Sequence, residues 1–420
     1  MCEIERIWLV LPITLDLVQT VAFAGVILFA GYGIRRLIPV LGTVNIPAPV
    51  CGGLPVAGIL AVLYFSGIQP LKFDTALQVP FQNTFFASIG FAASLALLRR
   101  GGPLVFTFFI LAFIVAVLQN VLGWAVAWAL GQHPLMGVLA GSVTLTGGPA
   151  TGLAFAPLFE QAGVPGAATL AVAAAMVGIV AGGVIGGPIA TYLVERKLRL
   201  TAAAPGSFTL ANVAEQQLPD TTIAAPAGED VEAYVLMKHL VLLVVTVGVG
   251  IWVSRWITGL GIEWLTLPAY IGAMLVAALV RNVDDVTGMF GLSMRVIDDI
   301  GNIALSLFLV MALMTLRLWE IAGLVVPLLI ILAAQVALIA VICLTVVTRV
   351  MGRDYDSAVM SGGFAGFMLG TSANAMANMG AMVERYGPAP KAFLVVPLVG
   401  AFFIDFANAL LITFFVNLGQ

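Results

Sequence analysis

Long apolar runs separated by short polar connections make up most of the 420-residue chain. Several runs reach the roughly 20 residues that a helix needs to cross about 30 Å of hydrocarbon, and the alternating segments of a membrane β-barrel are absent from the sequence. The pattern predicts an all-α integral membrane protein with ten transmembrane helices. The predicted helices cover residues 17–35, 47–66, 80–98, 103–130, 167–194, 238–258, 266–282, 299–317, 322–348 and 391–417.

Two glycine-rich stretches interrupt this pattern. The first contains TGGPATG at 146–152, and the second reads SAVMSGGFAGFMLGTSANAMANMG at 357–380. Glycine lets a chain turn sharply and approach a ligand closely. Non-helical backbone at membrane depth occurs only where it is buried in protein or lines a polar cavity. We therefore predict re-entrant segments at 136–158 and 357–380, whereas for GGVIGGP at 182–188 close helix packing is the favoured interpretation.

Charge placement decides how these two stretches run. Only 9% of the residues are charged, against roughly 25% in soluble domains. If neither stretch crosses the bilayer, 14 of the 18 Lys and Arg residues are cytoplasmic; if both cross, only 8 are. Because positive charge favours the cytoplasmic side, each stretch enters and leaves on one side. This arrangement predicts external termini, an N-terminal interfacial lead at 1–16 and a flexible cytoplasmic linker at 195–237.

An internal repeat relates the two halves of the chain. With an offset of 215, the series Ser142, Thr146, Gly147, Gly148 and Ala150 aligns with Ser357, Ser361, Gly362, Gly363 and Ala365. Each half, 17–194 and 238–420, holds five predicted spans, and an odd number gives the halves opposite orientations. Two inverted five-helix repeats with interrupted helices at matching positions are typical of secondary transporters whose site lies near the membrane midplane.

Polar residues within apolar segments supply the candidate site. Asp405 is the acid placed deepest within a predicted span, where a charge is costly and usually marks an ion or substrate path; the alternative is a structural partner for a neighbouring helix. Oxygen-bearing side chains suit sodium, although such residues also cap broken helices. The sodium candidates are Asp405, Asn408, Asn374, Asn378 and Ser361. The substrate candidates are Thr146, Gly147, Gly148, Thr151, Gly152, Gly362, Gly363, Gly370, Thr371, Ser372, Asn302 and Ser306.

A family resemblance runs over essentially the whole sequence. It rests on IPAPVCGGL (46–54), FFASIGFAASLALLRRGG (85–102), LMGVLAGSVTLTGG (135–148), NIALSLFLVMALMTLRLWE (302–320), ERYGP (384–388) and FLVVPLVGAFFIDFANAL (393–410). In these pieces the chain resembles the bacterial sodium/glutamate symporters of the ESS family. The resemblance implies a homodimeric inner-membrane symporter with two inverted halves, whose re-entrant segments meet at the substrate.

The sequence departs from the family pattern within the re-entrant segments. Gly-Gly-x-Gly-Thr is usual in the first segment, where this chain has Gly147, Gly148, Pro149, Ala150 and Thr151. In the second segment Gly-Ala-Thr-Pro is common, and this chain has Gly370, Thr371, Ser372 and Ala373; Ala92 and Ser94 stand where the family has asparagines. These differences predict a preferred ligand that differs from glutamate in size or in one polar group.

Two functions from different classes remain open. The favoured one is a sodium-coupled symporter for glutamate or a related small acidic amino acid or carboxylate, working by alternating access. The alternative is a channel-like conduit with a static filter formed by the re-entrant segments. No nucleophile with a base appears in the sequence, so an enzyme is not expected. The expected ligands are the substrate, sodium as the coupling ion and membrane lipid, with no other cofactor and no nucleic-acid partner.

Overall fold

The computed structural model describes residues 13–66, 71–100, 102–197, 231–260, 267–321 and 323–419. Most of the predicted linker and of the N-terminal lead lies outside these ranges. Within them, seven helices are long and apolar enough to cross a membrane, and each coincides with a predicted span. They are Leu17–Leu37, Ala48–Phe65, Gly102–Ala129, Ala167–Arg196, Val231–Thr258, Met294–Met314 and Val325–Val350. The chain is thus a multi-pass, almost entirely helical membrane protein.

The described part of the first half is mostly helical and contains two short strands, Ile13–Leu15 and Leu71–Phe73, which pair in parallel with Ile13 opposite Leu71. Its helices are α1 (Leu17–Leu37), α2 (Pro39–Thr43), α3 (Ala48–Phe65), α4 (Gln78–Ala92), α5 (Leu95–Arg100), α6 (Gly102–Ala129), α7 (Pro134–Val138), α8 (Gly148–Gln161) and α9 (Ala167–Tyr192). Two π-helical turns follow α7 and α9, at Leu139–Val143 and Leu193–Lys197.

The second half follows a similar order. Its helices are α10 (Val231–Thr258), α11 (Ala269–Thr287), α12 (Met294–Met314), α13 (Val325–Ile342), α14 (Thr348–Val350), α15 (Tyr355–Leu369), α16 (Ser372–Tyr386), α17 (Pro390–Leu398) and α18 (Ile404–Leu418). A 3-10 turn at Leu318–Ile321 follows α12, and π-helical turns at Cys343–Val347 and Val399–Phe403 follow α13 and α17.

The other three predicted spans are helical but shorter, charged or interrupted. Residues 80–98 form α4 and α5, which are separated at Ala93 and Ser94. The side chain of Asn282 in α11 forms hydrogen bonds with the backbone groups at this break. Its oxygen accepts from Leu95 N at 2.8 Å, and its amide donates to Ala93 O at 2.9 Å. Residues 266–282 correspond to α11, whose C-terminal part carries charged residues. Residues 391–417 correspond to α17 and α18, joined by the π-helical turn.

The helices pack as two groups. The first group comprises α1, α3, α4, α10, α11 and α12, which contact one another extensively. The second group, here the hairpin group, comprises α6, α7, α8, α9, α13, α15, α16, α17 and α18. The groups meet where α4, α11 and α12 approach α8 and α18. Each group draws helices from both halves of the sequence, so the halves are intertwined rather than side by side.

Candidate substrate and ion site

The first glycine-rich stretch forms a broken helical hairpin. Gly141 departs from helical geometry (φ −99°, ψ −131°), and α8 begins only at Gly148, whose φ is +71°. Pro149 suits the first turn of α8 because it needs no amide donor there. With 14 residues, α8 is about 21 Å long. It is therefore too short to cross the hydrocarbon.

The second stretch is a hairpin of two 15-residue helices, α15 and α16. Gly370 interrupts the helix (φ −145°, ψ −101°), and the Thr371 side chain caps α16 by accepting from Asn374 N at 3.4 Å. At the opposite end, the Tyr355 hydroxyl of α15 donates to Gly387 O at 2.7 Å and holds the two arms together.

The breaks of the two hairpins lie close to each other. A β-carbon added to Gly148 would be 3.9 Å from the carbonyl oxygen of Gly370, with nothing closer. Gln119 in α6 joins the hairpins directly: its oxygen accepts from the Thr146 hydroxyl at 2.8 Å, and its amide donates to Met368 O at 2.9 Å. The two broken backbones thus share one buried side chain.

The predicted substrate residues fall into three places. Thr146, Gly147, Gly148, Thr151, Gly370, Thr371 and Ser372 lie at or within one turn of the hairpin breaks. Gly152, Gly362 and Gly363 lie inside the arms, where added β-carbons would press on Ala171, Ala190 and Met379 respectively. Asn302 and Ser306 lie on α12, where the Ser306 hydroxyl donates to Asn302 O at 2.8 Å.

A cavity of about 240 Å³ lies on the boundary between the two helix groups. It brings together two predicted residues that are far apart in sequence, Asp405 of α18 and Asn302 of α12. The rest of its lining is Phe85, Ser88, Ile89, Ala92 and Asp298. Among the described residues the Asp405 carboxylate has no ion pair or hydrogen bond. Four oxygen-bearing side chains therefore line this cavity, and its described lining contains no basic residue.

The other sodium candidates contact backbone carbonyls. Asn374 and Asn378 donate to Ile179 O at 2.7 Å and to Gly182 O at 2.9 Å in α9. The Ser361 hydroxyl donates to Cys343 O at 2.7 Å, and Asn408 donates to Ser142 O at 2.9 Å. No group of three or more His, Cys, Asp or Glu that could hold a metal ion occurs in the described parts of the chain. Oxygen donors without such a group fit an alkali cation better than a transition metal.

Several site residues were not predicted. Asp298 precedes Asn302 by four residues, so the two share one face of α12, and this spacing could have identified it. Gln119, Asn120 and Gln335 are polar residues in otherwise apolar spans and are fully buried. Their polarity within apolar spans could have identified them as candidate site residues. The same offset of 215 that defines the repeat also aligns Asn120 with Gln335 in sequence.

Comparison with known proteins identifies the family. The Sodium/glutamate symporter family profile matches residues 13–388. The chain belongs to this family. It is similar to the sodium/glutamate symporter of Escherichia coli strain K12, with 40% identity over 405 residues, 96% of this chain and 98% of that protein. It is similar as well to the sodium/glutamate symporter of Haemophilus influenzae, with 39% identity over 400 residues, 95% and 96% of the two chains.

Proposed function

We propose that this sodium/glutamate symporter family member couples sodium entry to uptake of glutamate or a related small acidic amino acid. The observation that carries this proposal is the short distance between Gly148 and Gly370. The helix breaks of the two hairpins therefore lie next to each other. A broken helix at membrane depth is tolerated where it lines a polar site. Inverted repeats with such breaks are typical of secondary transporters.

The helix ends at this point suit an anionic substrate. Helices α8 and α16 both begin at the breaks, so their first backbone amides point toward the space between the hairpins. A helix N-terminus carries a partial positive charge and free N–H donors, which favour a carboxylate. The predicted residues at the breaks, from Thr146 to Thr151 and from Gly370 to Ser372, would provide hydroxyl groups and space for the ligand.

The cavity supplies complementary chemistry for positive charge. Asp405 and Asn302 offer oxygens to a sodium ion or to the ammonium group of an amino acid. When bound, sodium would neutralise Asp405 and so lower the cost of carrying substrate through the membrane. The position of the cavity between the helix groups supports an alternating-access mechanism in which the hairpin group moves against the first group.

The proposal includes a location and an assembly. The family and the charge distribution support a location in a bacterial inner membrane, and we propose external termini and a cytoplasmic linker. Together with the predicted spans, the seven long helices and the two short hairpins support ten crossings with two re-entrant segments. A homodimer is proposed from the family resemblance.

Uptake by purified protein in proteoliposomes tests the function. We expect saturable accumulation of radiolabelled glutamate that requires an inward sodium gradient and disappears when choline replaces sodium. A competition series with aspartate, glutarate and larger dicarboxylates would show the altered selectivity that the changes at Pro149, Ala150 and Ala373 predict. Sodium-independent, non-saturable flux would favour a channel and overturn the proposal. A profile led by glutamate with ordinary family selectivity would refute only the selectivity inference.

A further inference from the structure

The contact between α18 and the first hairpin leaves two buried oxygen atoms without a partner. Asn408 donates its side-chain amide to Ser142 O at 2.9 Å, and both residues are at least 99% buried. The Asn408 Oδ1 and Ser142 Oγ atoms have no hydrogen-bond partner among the described residues. An unsatisfied buried polar atom costs about 1–3 kcal/mol, so this arrangement requires a compensating group.

The orientation of the Asn408 amide is fixed by its chemistry. A main-chain carbonyl can only accept a hydrogen bond. The amide nitrogen of Asn408 must therefore face Ser142 O, because a flipped side chain would bring two oxygens together. The Oδ1 atom consequently points to another position and remains available as a ligand.

The surrounding groups add polarity and charge. Gly141 breaks the helix immediately before Ser142, and Asn120 Oδ1 accepts from Ser142 N at 3.0 Å. The Asn120 amide nitrogen is also unpaired. Asp405 lies three residues before Asn408 in α18, so the two residues share one face of this helix.

We propose that Ser142 Oγ and Asn408 Oδ1 bind one sodium ion at the break of the first hairpin. This inference rests on the proposed function and identifies two ligands of the coupling ion. Sodium is a hard cation, for which hydroxyl and amide oxygens are suitable ligands. Asp405, one helical turn before Asn408, is the nearest acid along α18 and would supply negative charge on that face, and a water in the ion's shell would accept from the unpaired Asn120 amide. The ion therefore links α18 to the hairpin whose break faces the substrate.

The second hairpin provides an internal comparison. Ser357 is equivalent to Ser142 in the repeat and is equally buried, but its hydroxyl donates to Asp354 O at 2.7 Å. The repeat therefore leaves an available hydroxyl at Ser142 and a satisfied one at Ser357. Replacing these two serines separates ion binding from the general effect of losing a buried hydroxyl.

Thermal unfolding of the purified full chain during a substrate-free sodium titration tests this site. In the parent protein the unfolding midpoint should rise with sodium chloride but not with choline chloride, because an ion that binds only the folded state stabilises it. Ser142→Ala should require at least about tenfold more sodium for the half-maximal shift, a loss of about 1.4 kcal/mol. Ser142→Cys keeps the number of side-chain heavy atoms but replaces the hard oxygen by a larger, softer sulfur, and should weaken binding similarly.

Ser357→Ala is the matched control and should keep the sodium dependence of the parent, even if its unfolding midpoint is lower throughout. If both Ser142 variants titrate like the parent, the unpaired atoms hold only a buried water and the proposed site is wrong. A parent protein without any sodium response would instead contradict the proposed sodium coupling itself.

Discussion

Gln119 and Thr146 form a 2.8 Å hydrogen bond that joins a membrane-spanning helix to the break of the first hairpin. The amide nitrogen of Gln119 donates to Met368 O, two residues before the break of the second hairpin. A further amide supports this link, because Gln335 of α13 donates to Gln119 O at 2.7 Å. One side chain therefore sets the separation between the two broken helices.

Gln119→Leu should weaken substrate binding more than it lowers the amount of folded protein. Leucine has a similar size but removes both hydrogen bonds, and it leaves the Thr146 hydroxyl and the Met368 carbonyl without their partner. Each such loss costs about 1–3 kcal/mol. We expect a rise of tenfold or more in the substrate dissociation constant of purified protein, measured by isothermal titration.

A double-mutant cycle with Thr146→Val tests the mechanism. Residues in direct contact show non-additive effects, so the two changes together should weaken binding less than the sum of the single changes. Thr169→Val is the control, since this buried hydroxyl contacts Arg317 O at 3.4 Å and lies outside the link. Strict additivity would show that Gln119 and Thr146 act independently.

Asp405→Asn should abolish sodium-driven uptake while the protein still folds and inserts. The change removes the negative charge that faces the cavity. A pair of charges about 4 Å apart is worth about 4 kcal/mol at an effective dielectric constant of 20. Asp299→Asn is a suitable control, because Asp299 is exposed and does not line the cavity. Near-normal sodium-driven uptake by Asp405→Asn would assign Asp405 a structural role.

The hydrophobic pattern predicted most of the helices but could not predict their contacts. Seven predicted spans match long helices because continuous apolar sequence has few stable alternatives in a membrane. The interruption of 80–98 at Ala93 was not predicted, since it depends on Asn282, which is 189 residues away. The glycine-rich composition of the two stretches indicated where the helices break, because the breaks arise from the backbone of the residues concerned.

The candidate site shows the same division between local and long-range information. Asp405 was identified by its charge within an apolar segment, whereas its neighbour Asp298 was missed because it lies near the start of α12, where a carboxylate is ordinary. Gln119 belongs to the site only because α6 passes between the hairpins. The polarity of Gln119 within an apolar span marks the residue as unusual, but it does not indicate which backbone groups the side chain contacts.

The orientation of the linker is a separate prediction. A single cysteine at Thr201, on a background lacking Cys2, Cys51 and Cys343, should not react with an impermeant maleimide in intact cells and should react after the membrane is permeabilised. The physical reason is the excess of Lys and Arg on that side. A cysteine at Leu418, which is exposed near the C-terminus, is the control and should react in intact cells. Ready labelling at Thr201 in intact cells would contradict the inverted topology.

Replacing two particular glycines should impair the protein in two different ways, one through ligand binding and the other through stability. Gly148 lies at the hairpin break with φ +71° and with free space where a side chain would project. Gly186 in α9 packs against the second hairpin, where an added β-carbon would meet the Asn378 amide and lie 2.7 Å from Gly362 O. The first position is thus adapted to a backbone turn near the proposed ligand, and the second to close helix packing.

We therefore expect Gly148→Val to block transport through loss of substrate binding, since valine disfavours this backbone conformation and fills the space between the hairpins. Gly186→Val should first lower protein yield and thermal stability, because overpacking costs about 1–3 kcal/mol. Gly187→Val is the control, as nothing lies within 4 Å of its added β-carbon, and it should resemble the parent. Binding to purified, correctly folded variants separates these cases. Normal binding and transport by Gly148→Val would show that the break only closes the hairpin and that the substrate binds elsewhere.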